Sequence, residues 1–189
     1  MITVDTRGIR ELERALGDAK KRLPKEVAIA INRTAKWTTT QISRQVRDEL
    51  NVKVRDVKKA LSQRGKANAS KLSTVVQLDK EKRLSLKYFG ARQTRRGVTA
   101  KVGKKRRRTL IPDGFMGPRP GAVAVRLGGH AYKRTGRGRT PIVKLHGASP
   151  WGAYVKNNMR PETVKESSRE LQKQIQRRIQ FNLFKRGLT

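Results

Sequence analysis

Basic side chains are concentrated in the middle of this chain, where they could bind an anion. Residues 92–140 hold 15 lysines and arginines but a single acidic residue, Asp113. Lysine and arginine bind phosphate and carboxylate groups through charge-assisted hydrogen bonds. The candidate contact residues are Arg92, Arg95, Arg96, Lys104, Lys105, Arg106, Arg107, Arg108, Arg134, Arg137 and Arg139. They favour contact with a nucleic-acid backbone or with an acidic protein, although a solvated loop would have the same composition.

The aromatic residues near these cations are too scattered to form a platform on which bases could stack. We therefore expect any contact with nucleic acid to involve the backbone and to be independent of base sequence. A second role for large aromatic side chains is to anchor an interface between subunits. The candidate anchors for such an interface are Trp37, Trp151 and Phe115.

No motif in the sequence predicts catalysis. The chain has no cysteine and two histidines, His130 and His146, so it offers few ligands for zinc. A metal-dependent nuclease needs a cluster of carboxylates to hold its metal ions. The pair Asp79 and Glu81 offers little toward such a cluster. The segment that begins at Gly103-Lys104 lacks the other residues of a phosphate-binding P-loop. We expect no catalytic residues, no metal site and no cofactor.

The charge of the whole chain implies a partner. The sequence holds 47 lysines and arginines against 14 acidic residues, for a formal net charge of +33. Such an excess destabilises a compact state through self-repulsion, so we expect an anionic partner to neutralise it. No apolar run is long enough to cross a membrane, and the first residues do not form a signal peptide. The sequence therefore predicts no membrane association.

The spacing of apolar residues predicts helices at both ends of the chain and strands between them. Helical spacing indicates a helix over 8–23, a second one from Pro24 to Leu50 and a third over 54–62. Alternation indicates strands over 72–78, 84–88, 98–102 and 141–145, with the second and third of these paired antiparallel. A last amphipathic helix begins near Pro161.

This order of elements predicts an α+β fold. We expect N-terminal helices and a long C-terminal helix packed on a small antiparallel β-sheet, with extended basic loops. The length suits a single domain over 1–189. Within it, residues 1–63 are expected to be helical, 70–146 to be β-rich with basic loops at 92–140, and 160–186 to form the C-terminal helix.

Three stretches together resemble the minor tail protein Z family of tailed bacteriophages and prophages. The first is the helical segment 28–35, which contains the letters INRTA. The second is 84–94, which ends in ARQT, with the alternating segment 97–102 after it. The third is the C-terminal amphipathic helix. The resemblance covers about residues 8–185 and includes no catalytic signature.

The resemblance implies a structural, non-enzymatic role in the virion. Members of the family are tail completion proteins at the head-proximal end of the tail, and the six-fold symmetry there implies a hexameric ring around the DNA channel. The implied partners are further copies of the chain, the tail terminator, tail tube and head-connector proteins, the tape measure protein and the backbone of genomic DNA. The implied location is the virion tail, after assembly in the bacterial host cytoplasm.

The charge alone would also fit a stand-alone, sequence-nonspecific nucleic-acid-binding protein, such as a ribosome-associated or nucleoid factor. Low aromatic content and long apolar stripes on the terminal helices favour packing into an assembly instead. The structural virion protein is the preferred hypothesis, and the stand-alone nucleic-acid-binding protein is the alternative.

Overall fold

A computed structural model describes the backbone of residues 7–117 and 124–184 and the side chains of 22–117 and 124–181. The helices are α1 (Arg7–Glu49), α2 (Val54–Lys58), α3 (Pro150–Lys156) and α4 (Arg160–Phe184). The strands are β1 (Leu61–Arg64), β2 (Val75–Leu78), β3 (Arg92–Thr94), β4 (Gly97–Ala100), β5 (Thr109–Pro112), β6 (Gly114–Phe115), β7 (Tyr132–Arg134) and β8 (Ile142–Lys144). Short 3₁₀ helices lie at Leu86–Phe89 and Val125–Leu127. The predicted α+β class is confirmed.

The strands form small sheets, and the two three-stranded ones are antiparallel. Strand β1 pairs with β2, while β4 lies between β3 and β5, and β7 lies between β6 and β8. In the first three-stranded sheet, Val98 lies opposite both Gln93 and Ile111. In the second, Tyr132 lies opposite Phe115 and Lys144.

The chain divides into two compact units. One unit comprises the described parts of residues 1–37, 63–75 and 164–189, and the other comprises 38–62 and 76–163. In the first unit, Ala28, Ala30 and Ala35 are buried along α1. A half-buried ion pair joins Glu26 of α1 to Arg178 of α4, with 3.4 Å between the carboxylate oxygen and the guanidinium nitrogen.

Asn32, in the INRTA segment of α1, has a structural role in the first unit. Its side-chain amide donates to the carbonyl of Ala67 at 2.8 Å, and its side-chain oxygen accepts from the backbone N–H of Ala67 at 3.0 Å. Gln63 donates to the same oxygen and to the hydroxyl of Thr74. Asn32 therefore serves as a hydrogen-bonding clamp that holds the segment 63–75 on α1.

Replacing Asn32 with alanine is expected to lower the free energy of unfolding by about 2–4 kcal/mol, because two backbone groups of a buried residue lose their partners. Urea denaturation measures this change. Arg33→Ala, at the exposed neighbouring position of α1, is the control, and its free energy of unfolding should stay within about 0.5 kcal/mol of the unsubstituted protein. Equal stability of Asn32→Ala and the unsubstituted protein would contradict the clamp.

The second unit has a continuous apolar core. Its buried residues come from the end of α1, from α2 and from the strands, and they include Val46, Val57 and Val98. Leu86 and Phe89 of the 3₁₀ helix are buried in the same cluster, and Tyr154 of α3 packs there too. The core therefore fixes the ends of the strands from which the basic turns project.

The structure corrects the predicted break at Pro24. Helix α1 runs without interruption from Arg7 to Glu49 with Pro24 inside it. An internal proline costs a helix about 3 kcal/mol. The turns that follow bury Ala28 and Ala30 and carry the Asn32 clamp, so packing favours continuity.

The predicted strand at 84–88 is wrong. Ser85 makes one isolated bridge to His146, and Leu86–Phe89 is a 3₁₀ helix that ends at Gly90 with φ of 63°. Because three consecutive residues, Leu84, Ser85 and Leu86, are buried, the alternating pattern does not mark a half-exposed strand. The strand that pairs with β4 on this side is β3.

Other boundaries also differ from the predictions. The third helix ends at Lys58 instead of continuing to residue 62, and β1 follows it. Strands β5 and β7 lie where basic loops were expected. The predicted strand over 141–145 is present as β8. The C-terminal helix is present to Phe184, while residues 185 and 186 of the predicted helix, like 1–6 of the predicted helical region, lie outside the described residues.

Candidate functional site

Cations from two turns converge on an open groove of about 950 Å³ in the second unit. Arg95 and Arg96 come from the turn between β3 and β4, and the others come from β7 and the turn between β7 and β8. Asp113 is the acidic residue in the described lining. We call this feature the basic groove; its cations are Arg95, Arg96, Lys133, Arg134, Arg137 and Arg139.

The turn that carries Arg95 and Arg96 depends on Gly97. This residue has φ of 137°, and a Cβ atom at this position would lie 2.2 Å from the carbonyl oxygen of Ile111. The hydroxyl of Thr94 donates to the carbonyl of Gly97 at 2.8 Å and closes the turn. Close approach of β5 therefore requires glycine here and fixes where the two arginines leave the sheet.

Gln93, in the ARQT segment, holds the backbone that lines the basic groove. Its side-chain oxygen accepts a hydrogen bond from the backbone N–H of Met116 at 2.6 Å, and its amide donates to the carbonyl of Thr94 at 3.1 Å. The first bond ties β3 to the residue directly after β6. Gln93 thus holds in place the backbone that carries Phe115 and Asp113.

Phe115 lies in the basic groove. The guanidinium carbon of Arg134 is 5.4 Å from the centre of its ring, and the ring of Tyr132 is 6.3 Å away at a tilt of 31°. A guanidinium over an aromatic face gains cation–π stabilisation and is held in orientation. The contacts of Phe115, a candidate subunit anchor, therefore include residues of its own unit.

Lys133 was missed by the sequence predictions, although it lies next to the selected Arg134. It pairs with Asp113 at 3.8 Å, across the register that sets Gly114 opposite Lys133. An exposed pair of this kind contributes little stability. Its effect on the groove is to neutralise the acidic residue of the described lining.

The remaining predicted cations do not join the basic groove. Arg106 and Arg107 line a second cavity of about 660 Å³ together with Lys156 and Glu49. Arg108 donates to the carbonyls of Gly90 and Thr99, and so serves to hold backbone. Arg92 and Lys105 are exposed.

Lys104 is bound to an acidic residue. Its ammonium lies 3.3 Å from the carboxylate of Asp48. The hydrogen bond from Lys104 lowers the pKa of Asp48, with a further contribution from Arg47. Of the eleven predicted contact residues, the structure therefore brings five, all arginines, into one site: Arg95, Arg96, Arg134, Arg137 and Arg139.

The two tryptophans are half-buried, one in each unit. Trp151 of α3 packs against the apolar core of the second unit, and the ammonium of Lys80 lies 5.3 Å from its ring centre. Trp37 lies on α1. Each keeps part of its surface exposed, as a residue that anchors an interface requires.

One serine–histidine pair needs a chemical assessment. The hydroxyl of Ser85 lies 2.7 Å from Nδ1 of His130, which is the geometry of an activated nucleophile. Ser85 is only 4% exposed, so a substrate carbonyl could not reach its hydroxyl. Within the described residues, no cluster of His, Asp and Glu is suited to hold a metal ion either. The pair is a hydrogen bond within the fold.

The same pair predicts a dependence of stability on pH. Burial lowers the pKa of His130 from its ordinary 6.5, and the positive charges of Lys144, Lys87 and His146 lower it further. The unfolded chain therefore takes up this proton first, so stability should fall as the pH decreases from 7.5 through 6.5. Denaturation in urea at pH 7.5 and 5.5 measures the loss, and His130→Gln should reduce it.

The exposed residue His146 provides the matched control for this prediction. His146→Gln should keep most of the loss of stability between pH 7.5 and 5.5. If both substitutions changed the pH dependence equally, burial of His130 would not be its cause.

Comparison with known families decides what kind of protein this is. A family model described as prophage minor tail protein Z (GPZ) matches residues 6–186. The chain belongs to this family. The match includes the Asn32 clamp, the Gln93 and Gly97 positions and every residue of the basic groove. No curated protein and no solved structure matches the chain significantly.

Membership in the minor tail protein Z family confirms the resemblance drawn from the sequence and makes the chain a structural protein of a phage tail. Such a protein works in assembly with other virion components. Among the described helices, none has both the length and the apolar composition needed to cross a lipid bilayer.

Proposed function

We propose that this chain completes the phage tail at the end that joins the head. The observation that carries the proposal is the family match over residues 6–186, because it assigns a tail component to nearly the whole chain. The net charge of +33 supports a position close to the packaged genome, where phosphates neutralise self-repulsion.

The working form in this proposal is a hexameric ring around the DNA channel. Six-fold symmetry at the head–tail joint would set the number of copies, and closed rings are formed by head-to-tail interfaces between identical subunits. Trp37 and Trp151 are the proposed anchors of those interfaces, because each is a large aromatic side chain that is only half-buried in its own unit. The tail terminator, the tail tube, a head-connector protein and the tape measure protein are the proposed neighbours.

Assembly without the protein tests this function. A phage that carries a stop codon early in the gene should yield filled heads and separate tails, and supplying the chain from a plasmid should restore joined particles. Electron microscopy counts the three species. Normal numbers of infectious, joined particles without the chain would refute a completion role.

The mass of the purified assembly tests the ring. Native mass spectrometry should detect a species six times the mass of the 21.4 kDa chain, either alone or together with tail tubes. If the protein stayed a monomer in both settings, the ring would be excluded. A monomer that bound RNA in cell extracts would instead support the stand-alone nucleic-acid-binding protein.

A further inference from the structure

We propose that the basic groove is the site that binds the sugar–phosphate backbone of duplex DNA. This inference deepens the proposed function and rests on it for the biological role, because it names the surface that would face the genome. Four arginines from two turns and Arg134 of β7 line one open groove. Their convergence distinguishes them from cations elsewhere on the second unit, such as Lys53, Lys58 and Arg83, which are exposed and lie outside it.

The charge of the groove is not compensated from within. Asp113 is held by Lys133, and within the described residues none of the five arginines forms an ion pair with a carboxylate. Several guanidinium groups at close quarters repel each other, so an anion that enters between them relieves the repulsion as well as forming hydrogen bonds. The groove is therefore suited to a ligand with closely repeated negative charges.

The position of the Phe115 ring in the groove favours contact with the backbone of DNA over contact with its bases. The guanidinium of Arg134 lies over the ring of Phe115, so this ring is not free to stack with a base. A guanidinium held in this way can present its N–H groups to a phosphate with little loss of side-chain entropy. The contact would be independent of sequence, as a channel through which all of a genome passes requires.

An acidic protein segment is the less favoured occupant. Grooves that bind peptides offer backbone hydrogen bonds or pockets for individual side chains. Here the amide of Gln93 is used within the fold, by Met116 and Thr94, and Phe115 is engaged by Arg134 and Tyr132. Positive charge is what the groove offers a ligand, and duplex DNA carries about one negative charge per 1.7 Å of its axis.

The test compares two triple variants of the full chain that lose the same charge. The groove variant carries Arg134→Gln, Arg137→Gln and Arg139→Gln, and the control carries Lys53→Gln, Lys58→Gln and Arg83→Gln. Fluorescence anisotropy with a labelled 20-base-pair duplex measures affinity from 50 to 200 mM NaCl. Each lost phosphate contact lowers the slope of log K against log salt by about 0.9, so the groove variant should lose nearly 3 from the slope and roughly 100-fold in affinity near 0.1 M salt.

The control variant should lose less than about 5-fold in affinity and keep its slope, because its three side chains would change only the long-range attraction. A second groove variant, Arg95→Gln with Arg96→Gln, should lower the slope by about 2 through the other turn. This second variant keeps the test valid if the loss of Arg134 disturbs the packing of Phe115. Circular dichroism checks the folding of each variant.

Two outcomes would overturn the inference. Equal losses in the groove and control variants would mean that DNA meets a diffuse charge, and tighter binding of poly-glutamate than of DNA at equal charge would make the groove a site for acidic protein. Neither outcome affects the role in tail completion, which is tested by assembly. Conversely, if the groove binds DNA but the protein is absent from joined particles, the proposed function is refuted while the DNA-binding site is not.

Discussion

Replacing Gly97 with alanine is expected to unfold the second unit under conditions in which the unsubstituted protein is stable. The new Cβ would lie 2.2 Å from the carbonyl oxygen of Ile111, which is backbone of a paired strand, and φ of 137° is strained for any residue with a Cβ. Strain at such a φ costs about 1–3 kcal/mol and overpacking costs a similar amount, so the combined loss is about 3–5 kcal/mol. Urea denaturation followed by tryptophan fluorescence measures it.

Gly136→Ala is the matched control for this substitution. Gly136 also lines the basic groove, but a Cβ there would meet no atom within 4 Å. Its stability should stay within about 0.5 kcal/mol of the unsubstituted protein. If Gly97→Ala were equally harmless, strand β5 would not approach β4 as described.

Replacing Phe89 with alanine is expected to lower the free energy of unfolding by about 3–5 kcal/mol, because a large side chain is lost from a closed core. Phe89 is 0% exposed, and the close approach of Gly147 to its ring leaves no room for another side chain there. Thermal and urea denaturation both report the loss. The segment 84–89 should lose its protection from amide hydrogen exchange first, because Phe89 holds its end in the core.

Phe181→Ala is the control for the loss of an aromatic side chain. Phe181 lies on α4 and is 55% exposed, so its removal should cost the isolated protein less than about 1 kcal/mol. Comparable losses for the two substitutions would mean that Phe89 is not the centre of the core.

Local patterns in the sequence were sufficient to predict the elements that follow a simple rule. Val98 and Ala100 are buried on either side of the more exposed Thr99 in β4, and the spacing of apolar residues from 164 onward predicts α4. Both elements bury one face, which is the condition under which periodicity can be read. The concentration of arginines in 92–140 also predicted where the basic groove would lie.

The predictions failed where long-range packing decided the outcome. The letters of 84–88 alternate as in a strand, but Leu86 and Phe89 are drawn into the core from a 3₁₀ turn. Strand β5 was not predicted because it is four residues long, follows five consecutive cations and ends in Pro112. Its pairing with β4 depends on the close approach at Gly97, which no local propensity encodes.

The set of residues that forms the basic groove could not be predicted from the sequence either. Arg95 and Arg139 are separated by more than 40 residues, and their turns belong to two different three-stranded sheets that both line the groove. The run 104–108 looked like the strongest charge signal, yet Lys104 is paired with Asp48 and Arg108 with backbone carbonyls. Charge density along a sequence therefore identified the region but not the site.

Imaging of the intact particle at subunit resolution tests the central claim most directly. The account predicts six copies of the chain in a closed ring at the head-proximal end of the tail, with Arg95, Arg134 and Arg137 facing the density of the DNA. A particle in which the head–tail joint is built from other chains, with this protein absent or located elsewhere in the tail, would contradict it.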